Sequence, residues 1–357
     1  MAINVFVLCG GKSVEHEVSL ISAMGIINSL DREKYKVTPI YIDKKGNWIS
    51  LGVINREITS KEELIACASD NPKSAFNELL DIVKSEEKTV VFPALHGTFG
   101  EDGTVQGLLE MLDIPYVGNG VMSSAIAMDK AIAKDLFTFH NIPQCDYIVF
   151  NKRDWEEKKK EIAEKIESYL GYPCFVKPAR LGSSVGINRA IDSIELGKAV
   201  EEAFWFDDKI VVEREVIGRE MQISVIGNSY PKSSVVGEFI QERQFMDYQA
   251  KYLDGKLIQV IEANLTKLTS EKMRETALKA YEVLNCTGLA RIDFFVCDGE
   301  KFLVNEVNTM PGFTKLSMTP ALWKKTDGTT YSELVDKLID YAFERFENKR
   351  TLKYDRS

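Results

Sequence analysis

The 357-residue sequence has no basic excess: 54 acidic residues against 45 Lys and Arg give a net charge of −9. A general nucleic-acid or anionic-membrane binder needs a basic surface. Both classes are set aside, and the expected partners are small molecules. Cysteine is sparse and unpatterned. Cys9, Cys67, Cys145, Cys174, Cys286 and Cys297 are scattered without a C-x-x-C pair, which fits buried free thiols in a reducing compartment better than disulfides or zinc. No apolar run is long enough to span a bilayer. The opening MAINVFVLCGGK lacks a basic n-region and a small-residue cleavage site, so it is expected to be a first strand running into a glycine turn. A cytoplasmic protein is the expectation. Two glycine fingerprints are also missing. The sequence has no G-x-x-x-x-G-K-[ST], which excludes a P-loop NTPase, and no G-x-G-x-x-G after the first strand, which removes the case for a dehydrogenase. Internal repeats and low-complexity linkers are absent.

What is present is ordinary globular composition, 45% apolar and 28% charged, with length enough for two or three domains. The first third alternates strand and helix signals: INVFVLCGG, SVEHEVSLISAMGIINSL, KVTPIYID, SAFNELLDIVKSEE, TVVFPAL and VQGLLEMLDI. Such alternation implies βαβ units around a mostly parallel sheet. Ligands bind beyond the carboxyl ends of such strands, where LCGGKSVEHE and ALHGTFGEDGT sit. A second segment opens with SSAIAMDKAIAKDLF, read as one helix with Lys130 and Lys134 on one face. It continues through the charged helix DWEEKKKEIAEKIESYLGYP, the strand–loop–strand CFVKPARLGSSVGINRA and another helix. From about Lys209 strands dominate, interrupted by the polar stretch IQERQFMDYQAKYLDGKL. The helix SEKMRETALKAYEVLN, a hairpin and a closing amphipathic helix complete the chain.

That hairpin, ARIDFFVCDGEKFLVNEVNTMPG (290–312), carries polar residues where strand cores are expected. A two-residue turn at Gly299-Glu300 suits a Gly-X connection and makes Asp298 face Lys301. Counting outward sets Asp293 opposite Glu306 and Arg291 opposite Asn308, all four on one face. Directly opposed carboxylates repel each other. Two readings fit: a solvated face on which Arg291 neutralises the acids, or a divalent-cation site. Two carboxylates and an amide oxygen, with no Cys or His nearby, are the hard ligands Mg²⁺ prefers, usually alongside phosphate oxygens. A phosphate binder should then exist elsewhere. KPARLGSSVG (177–186) is a candidate, a strand end followed by a small-residue loop whose N–H groups and hydroxyls can approach an anion, with Lys177 and Arg180 adding charge. A plain turn would use the same residues.

Taken in order, GGKSVEHEVS, HGTFGEDGTVQG, MDK, FVKPARLGSSVG, VVEREVIGRE, DYQAKYL, ARIDFFV and NEVNTMPGFTKLSM resemble the D-alanine–D-alanine ligases of the ATP-grasp superfamily over nearly the whole chain. The resemblance implies a three-domain α/β plus α+β fold. Residues 1–122 would form a mostly parallel α/β substrate-binding domain. Residues 123–212 and 213–357 would form the central and C-terminal ATP-grasp domains, with nucleotide between them and a mobile lid over 240–262. It implies joining of two D-alanines with ATP through an acyl-phosphate, for peptidoglycan precursor synthesis and cell wall biogenesis. Two Mg²⁺ ions are implied, with Mn²⁺ able to substitute, together with a homodimer, and monovalent-cation activation is left open. By position, Lys130 and Lys177 match phosphate-binding lysines, Glu213 the acceptor from the adenine amino group and Glu220 the ribose acid. Asp293, Glu306 and Asn308 match the metal ligands. Ser184 joins Ser183 in the phosphate loop. Arg291 and the Gly312 N–H match the oxyanion site. Glu15 matches the carboxylate on the first substrate's ammonium, His96 the histidine beside it, and Ser317 and Met318 the positions near the second substrate's carboxylate. Ser183 and Tyr252 would orient Glu15, and Lys251 would reach the transferred phosphate. AKYL matches the D-alanine version of the lid, whereas D-Ala–D-lactate relatives carry a histidine and D-Ala–D-Ser relatives often a Phe. A D-Ala–D-Ser or D-Ala–D-lactate ligase and a non-catalytic nucleotide-binding regulator are the competing readings. Loss of Arg291 or of a metal ligand would mark the latter, and none is lost.

Overall fold

The computed structural model describes residues 2–70, 77, 79, 81, 87–240 and 258–353. The chain starts with β1 (Ile3–Gly10), α1 (His16–Ser29), β2 (Tyr35–Ile42), β3 (Trp48–Ser50), α2 (Lys61–Asp70), β4 (Thr89–Pro93) and α3 (Thr104–Met111). The strands are ordered β3-β2-β1-β4, with β1 parallel to β2 and β4 and only β3 antiparallel. β1, β2 and β4 are almost continuously buried, as strands covered on both faces must be. The loops after β1 and β4 leave their carboxyl ends side by side.

SSAIAMDKAIAKDLF, read as one helix, is two: α4 (Val121–Met128) and α5 (Lys130–Phe139). Asp129 lies between them in extended conformation, and its side chain accepts from the backbone N–H groups of Ala131 and Ile132. It acts as an N-cap, which competes with helix continuation. Lys130 therefore occupies the first turn of a new helix. The central antiparallel sheet is built from β5 (Tyr147–Asn151), β6 (Cys174–Pro178), β7 (Asn188–Ala190) and β8 (Lys209–Arg214), in the order β5-β8-β6-β7. α6 (Lys152–Tyr169) and α7 (Ser193–Ala203) cover it with Trp155, Ile166, Leu196 and Val200. The last sheet holds β9 (Arg219–Gly227), β10 (Lys232–Ser233), β11 (Gly237–Ile240), β12 (Ile258–Ile261), β13 (Gly288–Val296) and β14 (Phe302–Asn308). Its order is β12-β11-β9-β13-β14, with β10 paired to β9. α8 (Lys267–Val283), α9 (Met318–Asp327) and α10 (Tyr331–Arg350) complete the described elements.

Packing crosses the sequence divisions. Ala127, Ala133 and Phe137 of α4 and α5 share a core with β9, β13 and α8. Leu334, Val335, Leu338 and Ile339 of α10 are fully buried against Val5, Leu20 and Val37 of the first sheet and helix. The position 212/213, expected as a domain boundary, falls inside β8. Among the described residues no helix is long and apolar enough to cross a membrane.

Candidate active site

The loops beyond β1 and β4, the loop between β6 and β7, the β13–β14 hairpin and the start of α9 surround a cavity of about 510 Å³. Its wall includes Glu15, His96, Lys130, Ser183, Glu220, Arg291, Asp293, Glu306, Asn308, Gly312, Ser317 and Met318. Side chains from three distant parts of the sequence thus meet in one space. Lys177, Ser184 and Glu213 are not on that wall. Lys251, Tyr252 and residues 241–257 of the expected lid lie outside the described residues.

The hairpin pairs Arg291 with Asn308 and Asp293 with Glu306, as counted from the sequence, but by a different route. The turn is one residue longer than expected. Cys297 N–H donates to Lys301 O, and Asp298–Glu300 form a single 3₁₀ turn with Gly299 and Glu300 both at positive φ. A bulge between Asp293 and Phe294 then places an extra residue, Asn305, on β14 and restores the register. Arg291 donates to both oxygens of Asp293 at 2.7 Å each, and Asn308 Nδ2 to Asp293 Oδ2 at 3.1 Å. Arg291 therefore does offset the acids, yet the face walls a cavity and is no solvated surface: the two side chains are 18% and 14% exposed. Lys130 Nζ stands 3.7 Å from Glu306 Oε2 and donates to Leu181 O at 2.8 Å, linking the hairpin to the loop between β6 and β7. Among the described residues no three His, Cys, Asp or Glu gather as a self-sufficient metal site. The donor set fits Mg²⁺ as two carboxylates and an amide oxygen completed by phosphate and water.

Glu213 is enclosed behind this wall. It accepts from Lys177 at 2.7 Å and pairs with Lys134 at 3.1 Å, with Cys145 Sγ at 3.5 Å. Burial pushes its carboxyl up, but the two ammonium groups outweigh burial and hold it down at about 2. Burial likewise pushes the Lys177 ammonium down, and Glu213 more than offsets this, so it stays above the usual lysine value. Arg180, read as extra charge for the loop, turns to Asp207 and Asp208 instead.

Glu15 begins α1 and is buried; Ser183 Oγ donates to it. Ser183 and Ser184 both have positive φ, so the loop is wound tightly enough to bring its hydroxyl to a residue 168 positions away. A side chain at Gly97 (φ +70°) would run into the Glu15 carboxylate. His96 Nδ1 lies 2.9 Å from Met310 O and Nε2 2.8 Å from Ser22 Oγ. A carbonyl can only accept, so Nδ1 carries the proton and Nε2 accepts from Ser22. Burial pushes the His96 pKa down, favouring this neutral form. Among the described residues a Cβ at Gly312 would meet only Ser317 Oγ, at an ordinary 3.7 Å, so their packing does not require glycine there. Open approach to a ligand is the remaining physical reason.

Two residues with strong contacts carry no assignment from sequence. Lys134 is 2% exposed and is signalled only by its spacing of four from Lys130. Glu101 accepts from Gly97 N–H at 2.9 Å and from Met310 N–H at 3.1 Å. Its signal is an acid in the glycine-rich loop HGTFGEDG beyond a parallel strand.

The sequence matches the family described as "D-ala D-ala ligase N-terminus" over residues 4–119 and "D-ala D-ala ligase C-terminus" over residues 136–340. It is 47% identical over 358 residues to the D-alanine--D-alanine ligase of Bacillus cytotoxicus, covering 99% of each chain. It is 46% identical to that of Geobacillus kaustophilus, covering 99% of this chain and 98% of the relative. Among solved structures, the D-alanine-D-alanine ligase from Coxiella burnetii superposes with a TM-score of 0.82 at 33% identity, over 98% and 96% of the two chains. The VanG D-Ala:D-Ser ligase from Enterococcus faecalis superposes at 0.80 and 32%, over 96% and 100%. The D-alanine--D-alanine ligase of Bacillus anthracis complexed with ATP gives 0.72 and 29%, over 98% and 100%. The fold expected from the resemblance is the ATP-grasp fold these structures share. Matched at both ends by one family and along its length by relatives of nearly equal size, this chain belongs to the D-alanine–D-alanine ligase family.

Proposed function

We propose that the protein joins two D-alanines into D-alanyl-D-alanine with ATP, through an acyl-phosphate on the first alanine, for peptidoglycan precursor synthesis. The observation that carries this reading is the convergence of a buried carboxylate (Glu15), a cationic and acidic hairpin (Arg291, Asp293, Glu306, Asn308) and a helix N-terminus (Ser317, Met318) on one cavity. Each suits a different charge on the reactants. Glu15, fixed by Ser183, binds the ammonium of the first alanine. Arg291 and the Gly312 N–H hold the carboxylate under attack and the oxyanion that follows, where prearranged donors act most strongly. The N-terminus of α9 favours the carboxylate of the second alanine. Lys130, with Lys177 behind it, and Ser183 and Ser184 meet the nucleotide's phosphates, while Glu220 meets its ribose. Glu213, from its sequence position, accepts from the adenine amino group. Asp293, Glu306 and Asn308 would hold Mg²⁺, which supplies neutralisation of charge on the transferred phosphoryl group. Lys251 and Tyr252 belong to the proposal from their sequence positions, as does closure of a lid that keeps water from the acyl-phosphate. A cytoplasmic homodimer completes the reading, and light scattering on the purified protein tests the dimer.

Phosphate release and product analysis with D-alanine alone, then with D-serine or D-lactate added, test the activity. The expected result is ATP-dependent D-alanyl-D-alanine from D-alanine alone, rising towards alkaline pH as the attacking amine loses its proton. No dipeptide from D-alanine, or product only with the second acceptor present, would sink it.

A further inference from the structure

The loop that carries Gly312 belongs by sequence to the last third of the chain, yet it is anchored largely by the first. Asn119 Nδ2 donates to Thr309 O at 3.0 Å, His96 Nδ1 to Met310 O at 2.9 Å, and Phe313 N–H to Ser22 Oγ at 3.3 Å. The fourth anchor differs in kind. Glu101 takes the Met310 N–H on one carboxylate oxygen and the Gly97 N–H on the other, at 3.1 and 2.9 Å. Its side chain is 13% exposed, lines the cavity, and has the neutral His96 imidazole beside it, Nδ1 at 3.9 Å. A largely buried carboxyl beside a second carboxylate, Glu15, is a costly way to join two loops. Burial and the Glu15 charge push its pKa up to about 8 against the pull of the two N–H groups. A neutral side chain could hold one N–H more cheaply. What a carboxyl group does, ionised or protonated, is present two oxygens to two backbone N–H groups along two fixed directions. One of those directions sets the peptide two residues before the Gly312 N–H, and the other sets the turn after His96.

From this bridging geometry we propose that Glu101 is a positioning residue for the ligation step: it fixes the Gly312 amide relative to His96 and Arg291, so that the oxyanion site is assembled before substrate arrives. The proposal rests on the ligase reading, which dipeptide formation by the unaltered protein tests by itself. Glu101→Gln keeps the shape and replaces one acceptor oxygen with a donor facing an N–H. The expected result is a folded protein whose kcat falls about 10²-fold, the order seen when an oxyanion donor is lost, while KM for ATP stays within about twofold. Affinity for a D-alanyl-D-alanine analogue with a tetrahedral phosphinate at the reacting carbon should fall in step with kcat, because that probe reads the transition-state geometry. Glu101→Asp, which keeps the acid but shortens its reach, should show the same split in weaker form. Either variant folded with unchanged kcat and phosphinate affinity overturns the proposal. So does loss of folding in both variants, or an equal loss of ATP and phosphinate binding, each of which makes Glu101 a stabilising residue only.

Discussion

Glu213 is held between two ammonium groups, Lys134 and Lys177, with side-chain exposures of 4%, 2% and 12%. Neither lysine would be tolerated there alone, since an unpaired buried charge is far more costly than a paired one. Glu213→Gln should therefore destabilise the protein by roughly 3–5 kcal/mol, read as a lowered midpoint in urea. The pH dependence follows from the sign of the shift. The folded carboxyl is held at about 2, below its ordinary 4.5. The stability it contributes is thus fully present above pH 4.5 and is lost as pH falls towards 2. Melting temperature measured across that window should fall less steeply in Glu213→Gln than in the unaltered protein. Parallel curves would mean the triad does not titrate as a unit. Local pattern shows Glu213 as an acid on an apolar strand, and the resemblance assigns it to adenine, but neither shows the lysine pair. The second lysine that encloses it comes from α5, a partner no local pattern reveals.

At the scale of elements, the hairpin's pairing is legible because strand side chains alternate with a period of two and the polar residues share one parity. Its turn is not legible, since a three-residue turn with a bulge and a two-residue turn without one pair the same four residues. The break at Asp129 is missed for a related reason: periodicity continues through it, and only the capping hydrogen bonds end the helix. α9 is hidden by its short apolar face and by Pro320 in its first turn. α10 is legible as an amphipathic helix, but its destination is not, because an apolar face does not name the sheet it will cover. Here it packs against α1 and β4 of the first unit and against β9 and β13 of the last sheet, joining the two. Leu338, fully buried in the core that α10 shares with α1 and the first sheet, tests that packing. Leu338→Ala should cost about 2–5 kcal/mol and leave KM for ATP unchanged, because the cavity wall does not include α10. A cost under about 1 kcal/mol, as for a surface site, would contradict this packing.

For the whole molecule, the cavity has walls from all parts of the chain: Glu15 and His96 from the first, Lys130 and Ser183 from the middle, Arg291 to Met318 from the last. Composition could exclude partners, and collinear motifs could name the fold, but only the three-dimensional arrangement shows that a ligand in this cavity would touch all the parts at once. Such a ligand binds the folded chain and not the unfolded one, so it stabilises the whole by mass action, about 2.7 kcal/mol at a hundredfold excess over Kd. For a chain of this length that corresponds to a rise on the order of 5 °C in melting temperature. ATP with Mg²⁺ should give the full rise, and ATP with a chelator a smaller one, since the phosphates would then face the Asp293 and Glu306 carboxylates with no cation between them. Asp293→Asn should erase the difference between the two conditions while keeping the metal-independent part. If instead Asp293→Asn responded to Mg²⁺ as the unaltered protein does, the cation would have to sit elsewhere, and the hairpin acids would be left as counter-ions to Arg291 and Lys130.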